Sequence, residues 1–242
     1  MGTINILKEV RQELKANVEE KYRCDNQKYF KEKISCYGAR TPIVRKIAKK
    51  YYKQIKHLDK KYVFALSEEL FKNQYNEEAT IAIQWVGGLS NQFEKSDFKI
   101  FENWLTKYID NWGKDDDFCL HIIHPMIEKY PDLIDKVKSW SQSKNMWLRR
   151  ASAVSFITTI GSFYATRHSL KDIFEVAETL LQDKEDLVQK GYGWMLKSAS
   201  VQNQKEVFDF VVNNKRLMSR TALRYAIEKL PEKLKIEARA KE

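Results

Sequence analysis

Apolar residues return along this chain every three or four positions. Ile43, Ile47, Tyr51 and Ile55 are spaced by four, as are Ile81, Trp85 and Leu89. Phe98, Phe101, Leu105 and Ile109 continue the rhythm, followed by Val137 with Trp140, then Leu148, Ala151, Val154 and Ile157. Ile173, Val176 and Leu180, and later Leu187, Tyr192 and Met195, extend it toward the C-terminus. Such spacing lines one face of a helix with ~3.6 residues per turn, whereas a half-buried strand alternates with period two. No stretch of strict alternation competes, so the pattern predicts an all-α chain.

Polar punctuation agrees. Thr41-Pro42 reads as a helix start with Pro in the first turn, and Ser67-Glu68-Glu69 and Ser96-Asp97 read as polar caps with acidic first turns. Gly38, Gly87-Gly88 and Gly161 fall where helices should end or turn. Segments beginning near Asn76, Asp116, Asn145, Lys184 and Ser219 follow one another at roughly 30 to 40 residues, each an amphipathic helix after a polar turn. The spacing suits HEAT-like antiparallel helix pairs, which stack into a curved superhelical solenoid with one concave face. The expectation is a single domain over 1–242.

Composition supports a packed core: 43% of residues are hydrophobic and 12% aromatic, with 8 Gly and 4 Pro in 242 residues. The longest apolar runs, such as Ala153 to Ile157, fall far short of the ~18 to 20 residues that cross a bilayer. The opening MGTINILKEVRQELK has no apolar core of a signal peptide and no acylation pattern, so a cytoplasmic protein with no membrane partner is expected. Cys24, Cys36 and Cys119 form no CxxC and are expected as small core residues.

Charge adds more. The net charge is +10, and residues 28–61 alone hold twelve basic side chains against Glu32 and Asp59. From Asn213 onward nine basic residues face four acidic ones. A basic band on a folded helical protein is the footprint of a phosphate backbone, although Lys-rich solvated helix faces produce the same count. On the later repeats the concave lining would include Arg149 or Arg150, Lys190, and Arg220 or Arg224.

Four segments together resemble the bacterial DNA alkylation repair glycosylases built from HEAT-like repeats: YFKEKISCYGARTP at 29–42, NWGKDDDFC at 111–119, NMWLRRASA at 145–153 and VQKGYGWML at 188–196. The resemblance runs from about residue 28 to 230, and its specificity comes from the order and spacing of these segments. It implies hydrolysis of the N-glycosidic bond of positively charged alkylpurines, such as 3-methyladenine and 7-methylguanine, in double-stranded DNA. It matches Trp112 and Asp116 to the catalytic centre, Arg150 of the Trp147-Leu148-Arg149-Arg150 segment to the catalytic-site arginine, and Trp194 to the aromatic wall beyond the lesion. Tyr29 matches the family tyrosine near the first basic helix, and Lys28, Lys31, Arg40, Thr41, Arg45, Lys46 and Lys49 would grip the backbone. No metal or cofactor is implied, and a monomer is expected.

The residue types suit that chemistry. An N3- or N7-alkylated purine is already cationic and leaves readily, so the demand falls on the oxocarbenium-like sugar, which a carboxylate stabilises. Trp112 and Asp116 stand one helical turn apart on one face, and an indole beside a cation adds ~0.5–2 kcal/mol. Other readings compete. Trp85, Trp104 and Trp140 read as core. Asp115-Asp116-Asp117 read equally as helix-start acids, and the pair His121 and His124, with Asp117 four residues before His121, hints at a metal, but no further ligand of suitable type follows. A non-catalytic binder of damaged or branched DNA, or a protein-interaction scaffold, would use the same basic face.

Overall fold

The computed structural model describes residues 3–240, with side chains from residue 5. It divides into two compact units, residues up to Met126 and residues from Ile127. The first unit contains α1 (Thr3–Ala16), α2 (Glu20–Gln27), α3 (Thr41–Ile55), α4 (Lys60–Lys72), α5 (Asn76–Gly87), α6 (Phe98–Tyr108) and α7 (Trp112–Phe118). A π-helical turn, Cys119–Ile123, leads into α8 (His124–Lys129), in which the division falls. The second unit contains α9 (Ile134–Ser139), α10 (Met146–Val154), β1 (Thr158–Ile160), β2 (Phe163–Ala165), α11 (Leu170–Leu180), α12 (Asp186–Ser200), α13 (Gln204–Asn214), α14 (Arg220–Ala226) and α15 (Glu232–Arg239).

Within each unit the helices stack in two layers. In the first, α3, α5 and α7 pack one upon the next, while α4 packs against α5 and α6. In the second, α10, α12 and α14 follow one another, with α11 and α13 against α12. This is the packing of helix-pair repeats, and the repeat starts read from the sequence coincide with α5, α7, α10, α12 and α14 to within a few residues.

The apolar stripes fill both cores. Val44, Ile47, Ala48, Tyr51 and Ile55 are the buried face of α3, and Trp85, fully buried on α5, donates its Nε1 to the Ala48 carbonyl at 3.0 Å. Trp104 lies among Phe64, Phe71 and Phe101. Trp85, Trp104 and Trp140 are therefore core residues, as their spacing predicts. Among the described residues no helix is long and apolar enough to cross a membrane.

Several local expectations are corrected. Ser67 does not open a helix: it is buried inside α4 and returns its hydroxyl to the Val63 carbonyl at 2.9 Å, while Asp59 caps α4 by accepting the Lys61 N–H. Cys24 is exposed and Cys36 half-buried, leaving Cys119 as the buried one, because α2 buries none of its residues. Gly161 turns a β-hairpin, not a helix pair. Thr158–Ile160 pairs antiparallel with Phe163–Ala165 across Gly161-Ser162, with Gly161 at φ +61°. Three-residue strands are too short to show a period.

Candidate functional site

In the first unit the candidate chemistry sits on α7. Asn111 caps this helix by accepting the Lys114 N–H at 3.1 Å, and its amide donates to Asn76 Oδ1 at 2.9 Å, tying the start of α7 to the start of α5. Trp112 and Asp116 are both partly exposed, one turn apart on α7. Of the neighbouring acids, Asp115 is fully buried. Asp117 lies 3.4 Å from His121 Nε2, and its burial holds its carboxyl above the ordinary range against the pull of His121 and Arg45. Among the described residues no three His, Cys, Asp or Glu side chains converge as metal ligands.

Lys114 turns inward. Its ammonium bonds the Gln74 carbonyl and Asp110, both at 2.9 Å, and burial depresses its pKa. Its charge is therefore directed to Asp110, not to Asp116.

The Trp112 ring is held by the loop between α2 and α3. The Phe30 ring stacks on the indole with centroids 5.1 Å apart and planes 18° from parallel, and Trp112 Nε1 donates to the Tyr29 carbonyl at 3.2 Å. One side chain shapes this loop: Gln27 donates to the carbonyls of Phe30 (3.4 Å) and Glu32 (2.8 Å) and accepts the Ile34 N–H at 3.1 Å. Its far end is pinned by Glu77, which accepts the N–H groups of Tyr37, Gly38 and Ala39 at 3.0, 2.8 and 3.2 Å. Tyr29, matched by sequence to the family tyrosine, is 74% exposed, and its contribution to Trp112 is its carbonyl.

The basic residues expected to meet phosphates divide into two groups. Arg45, Lys46 and Lys49 stand exposed on α3, opposite its buried stripe, with Thr41 exposed at its start. Lys28 and Lys31 are exposed on the loop before it. Arg40 is exposed but holds Glu19 through Nε at 2.8 Å and Nη2 at 2.8 Å, and Lys28 pairs with Asp25 at 2.7 Å.

In the second unit Arg150 is buried on α10. One of its terminal nitrogens bonds the Leu187 carbonyl at the start of α12, and its stem lies over Gly191, where a Cβ would come within 3.2 Å of Arg150 Cγ. A second glycine makes the other close approach: a Cβ at Gly193 would lie 2.8 Å from Tyr225 Cβ and 2.9 Å from the Ala222 carbonyl oxygen of α14. The GYG of the fourth segment thus seats α12 against α10 on one side and α14 on the other.

Trp194 is partly exposed, with Tyr164 of β2 edge-on to it at 5.0 Å and 82°. Arg149 is committed to the fold: it bonds Asp183 at 2.6 Å and the carbonyls of Ser143 and Lys144 at 2.9 and 3.1 Å. Lys190 pairs with Asp186 at 2.8 Å, and Arg220 and Arg224 are exposed on α14.

Phe30, Gln27 and Tyr164 carry no periodic signal in the sequence. Phe30 and Gln27 shape an irregular loop, and Tyr164 lies in the short hairpin. The adjacent aromatics Tyr29-Phe30 and the β-branched Thr158-Thr159-Ile160 ahead of Gly161 are the signals that point to them.

A sequence model of the family described as DNA alkylation repair enzyme matches residues 10–230. A comparison with curated protein sequences finds no match. Among solved structures, an Enterococcus faecalis protein described as a predicted DNA alkylation repair enzyme superimposes with TM-score 0.77 at 15% identity, over 89% of this chain and 98% of that one. AlkD2 from Streptococcus mutans gives 0.58 at 18% identity, over 78% and 90%. The Pseudomonas fluorescens alkylpurine DNA glycosylase AlkC, bound to DNA containing an abasic site analog, gives 0.50 at 14% identity, over 94% and 62%. At these identities the likeness is one of fold.

Proposed function

Because this chain belongs to the DNA alkylation repair enzyme family, we propose that it is a monofunctional DNA glycosylase. It removes cationic N3- or N7-alkylated purines, 3-methyladenine and 7-methylguanine among them, from duplex DNA, acting as a cytoplasmic monomer without metal or cofactor.

The observation that carries this reading is the arrangement on α7: Asp116 one turn from an indole of fixed orientation, with Lys114, two residues before it, bound to Asp110. As the bond to the alkylated base lengthens, positive charge moves to the sugar. Asp116 opposes that charge with its carboxylate and orients the attacking water. Trp112 offers an aromatic face to the cationic base or sugar, and the family resemblance gives Trp194 of the second unit a like role. Arg150, anchored at the Leu187 carbonyl, directs its guanidinium to a backbone phosphate. Arg45, Lys46 and Lys49 hold the backbone without reading sequence.

The product is an abasic site in an intact strand. Lys114 has the depressed pKa that suits Schiff-base chemistry, but its side chain is 3% exposed and its ammonium is bound by Asp110 and Gln74.

The burial of Arg150 favours a second reading, a non-catalytic binder of damaged or branched duplex. Single-turnover base release from a duplex carrying one 7-methylguanine separates the two. Excision by the wild type that falls by about a thousandfold or more in Asp116→Asn, with duplex binding retained, supports the glycosylase. Tight binding with no base release in the wild type would leave the binder.

A further inference from the structure

Beside the α7 site runs a trough whose floor is α5. The residues of this helix that reach the surface are Asn76, Thr80, Gln84 and Gly87, one row along the helix, and none of them is charged. One wall is α3; the other is α7 with the π-helical turn that follows it.

The floor and walls run parallel and level. Trp85 of α5 meets the Ala48 carbonyl of α3, and Asn76 at the start of α5 meets Asn111 at the start of α7. At the far end two glycines close the gaps: a Cβ at Gly87 would lie 2.9 Å from the His121 carbonyl oxygen, and one at Gly88 would lie 2.5 Å from the Tyr52 ring. Tyr52 stands two turns beyond Arg45 on the same side of α3. Arg45 and Asp117 are thus at matching heights on opposite walls.

The π-helical turn sets His121. Residues four apart in a regular α-helix are offset by about 40°, and the wider i→i+5 turn removes most of that offset. His121 therefore stands over Asp117, with Nε2 3.4 Å from its carboxyl. Burial raises the Asp117 carboxyl, and His121 and Arg45 draw it back without cancelling the rise, so at neutral pH this side chain costs the fold stability that an Asn would not. A polar group that works against stability on an exposed face points to a function.

We propose that His121 and Arg45 hold one phosphate of the DNA backbone over the α5 trough, with Asp117 as the residue that positions both. With Nε2 turned to Asp117, Nδ1 is the ring nitrogen that reaches the phosphate oxygen. The pair donates when it holds two protons, one on Nδ1 and one between Nε2 and the carboxyl. Arg45 brings its planar fork from the opposite wall. Such a contact reads no sequence; it fixes where the strand passes α7, and so where the sugar lies relative to Asp116. The inference rests on the DNA-binding part of the function proposed above and not on base release.

The full chain is titrated with an unmodified duplex while the imidazole nitrogen resonances of His121, assigned through His121→Gln, are followed. Binding should move Nδ1 to the shift of a protonated ring nitrogen. His121→Gln should weaken the duplex roughly three- to tenfold and flatten the salt slope, and His121→Lys should restore the slope. Asp117→Asn should also weaken binding, and by less in a His121→Gln background than in the wild type, while its melting temperature does not fall. On a duplex whose single abasic-site analogue fixes the register, phosphates are replaced one at a time by neutral methylphosphonates. At one position His121→Gln and Arg45→Gln should cause no further loss. His121 resonances unmoved at saturating duplex, or Asp117→Asn binding as tightly as the wild type, would overturn the proposal. The expected shifts and losses in a wild type that releases no 7-methylguanine would uphold the phosphate contact and remove the glycosylase reading alone.

Discussion

Phe30 lies flat against Trp112, ring centroids 5.1 Å apart, and the residue before it supplies the carbonyl that receives the indole N–H. The orientation of the candidate site's indole is therefore set by a loop some eighty residues away in sequence. An aromatic pair of this kind contributes ~0.5–1.5 kcal/mol beyond its buried area. Phe30→Ala should lower single-turnover excision about 3- to 10-fold and move the Trp112 indole N–H resonance, assigned through Trp112→Phe. Gln27→Ala, which opens the loop without touching the ring, should move the same resonance. An unmoved resonance in both variants would mean that α7 alone orients Trp112.

Asp117 makes stability depend on pH in an unusual direction for a carboxylate. Burial raises its folded-state pKa above the ordinary value of 3.8, outweighing the pull of His121 and Arg45. The folded chain then binds this proton more tightly than the unfolded chain, so stability is highest below the unfolded pKa and falls as pH rises through the folded one. Asp117→Asn should melt a few degrees above wild type at neutral pH, with the gap closing as pH approaches 4. A variant that melts lower at neutral pH would show that the contacts with His121 and Arg45 outweigh burial.

The exposed face of α3 predicts the salt dependence of DNA binding. Each phosphate neutralised contributes about −0.9 to the slope of log K against log salt. Replacing Arg45, Lys46 and Lys49 by Gln should flatten that slope by roughly 2 to 3 and weaken alkylated and unmodified duplexes alike. Arg149→Gln should act differently, through melting temperature, because its donors are spent on Asp183, Ser143 and Lys144. A salt slope unchanged in the triple variant would remove α3 from the interface.

The two glycines of α12 should respond unequally to alanine. At Gly193 the added carbon meets the Ala222 carbonyl at 2.9 Å, and helix backbone yields little; overpacking of this kind costs ~1–3 kcal/mol. Melting should fall by roughly 2–4 °C per kcal/mol in a chain of this size. At Gly191 the neighbour is the Arg150 stem at 3.2 Å, which can shift, so Gly191→Ala should change melting little and excision more. Equal melting losses would indicate that Arg150 is as rigid as the α14 backbone.

A period near 3.6 is a property of each segment alone, so the helices, the start points of the repeats and the buried faces of Trp85, Trp104 and Trp140 are legible in the order of the residues. The resemblance of four segments singles out α7, α10 and α12, and the net charge singles out α3. What tertiary structure decides is which groups are already engaged. Arg149 and Arg150 are neighbours in sequence, yet one is held by Asp183 and two carbonyls of its own approach to α10, while the other bonds the Leu187 carbonyl and lies on Gly191 of α12. Lys114 stands two residues before Asp116 but turns to Asp110. Phe30 belongs to a loop whose shape comes from the side chains of Gln27, at the end of α2, and Glu77, and no repeating pattern records such contacts. Periodicity reports which side of a helix meets the core, because burial acts on every turn alike. The pairing of single polar groups depends on distances set only when separate helices come together.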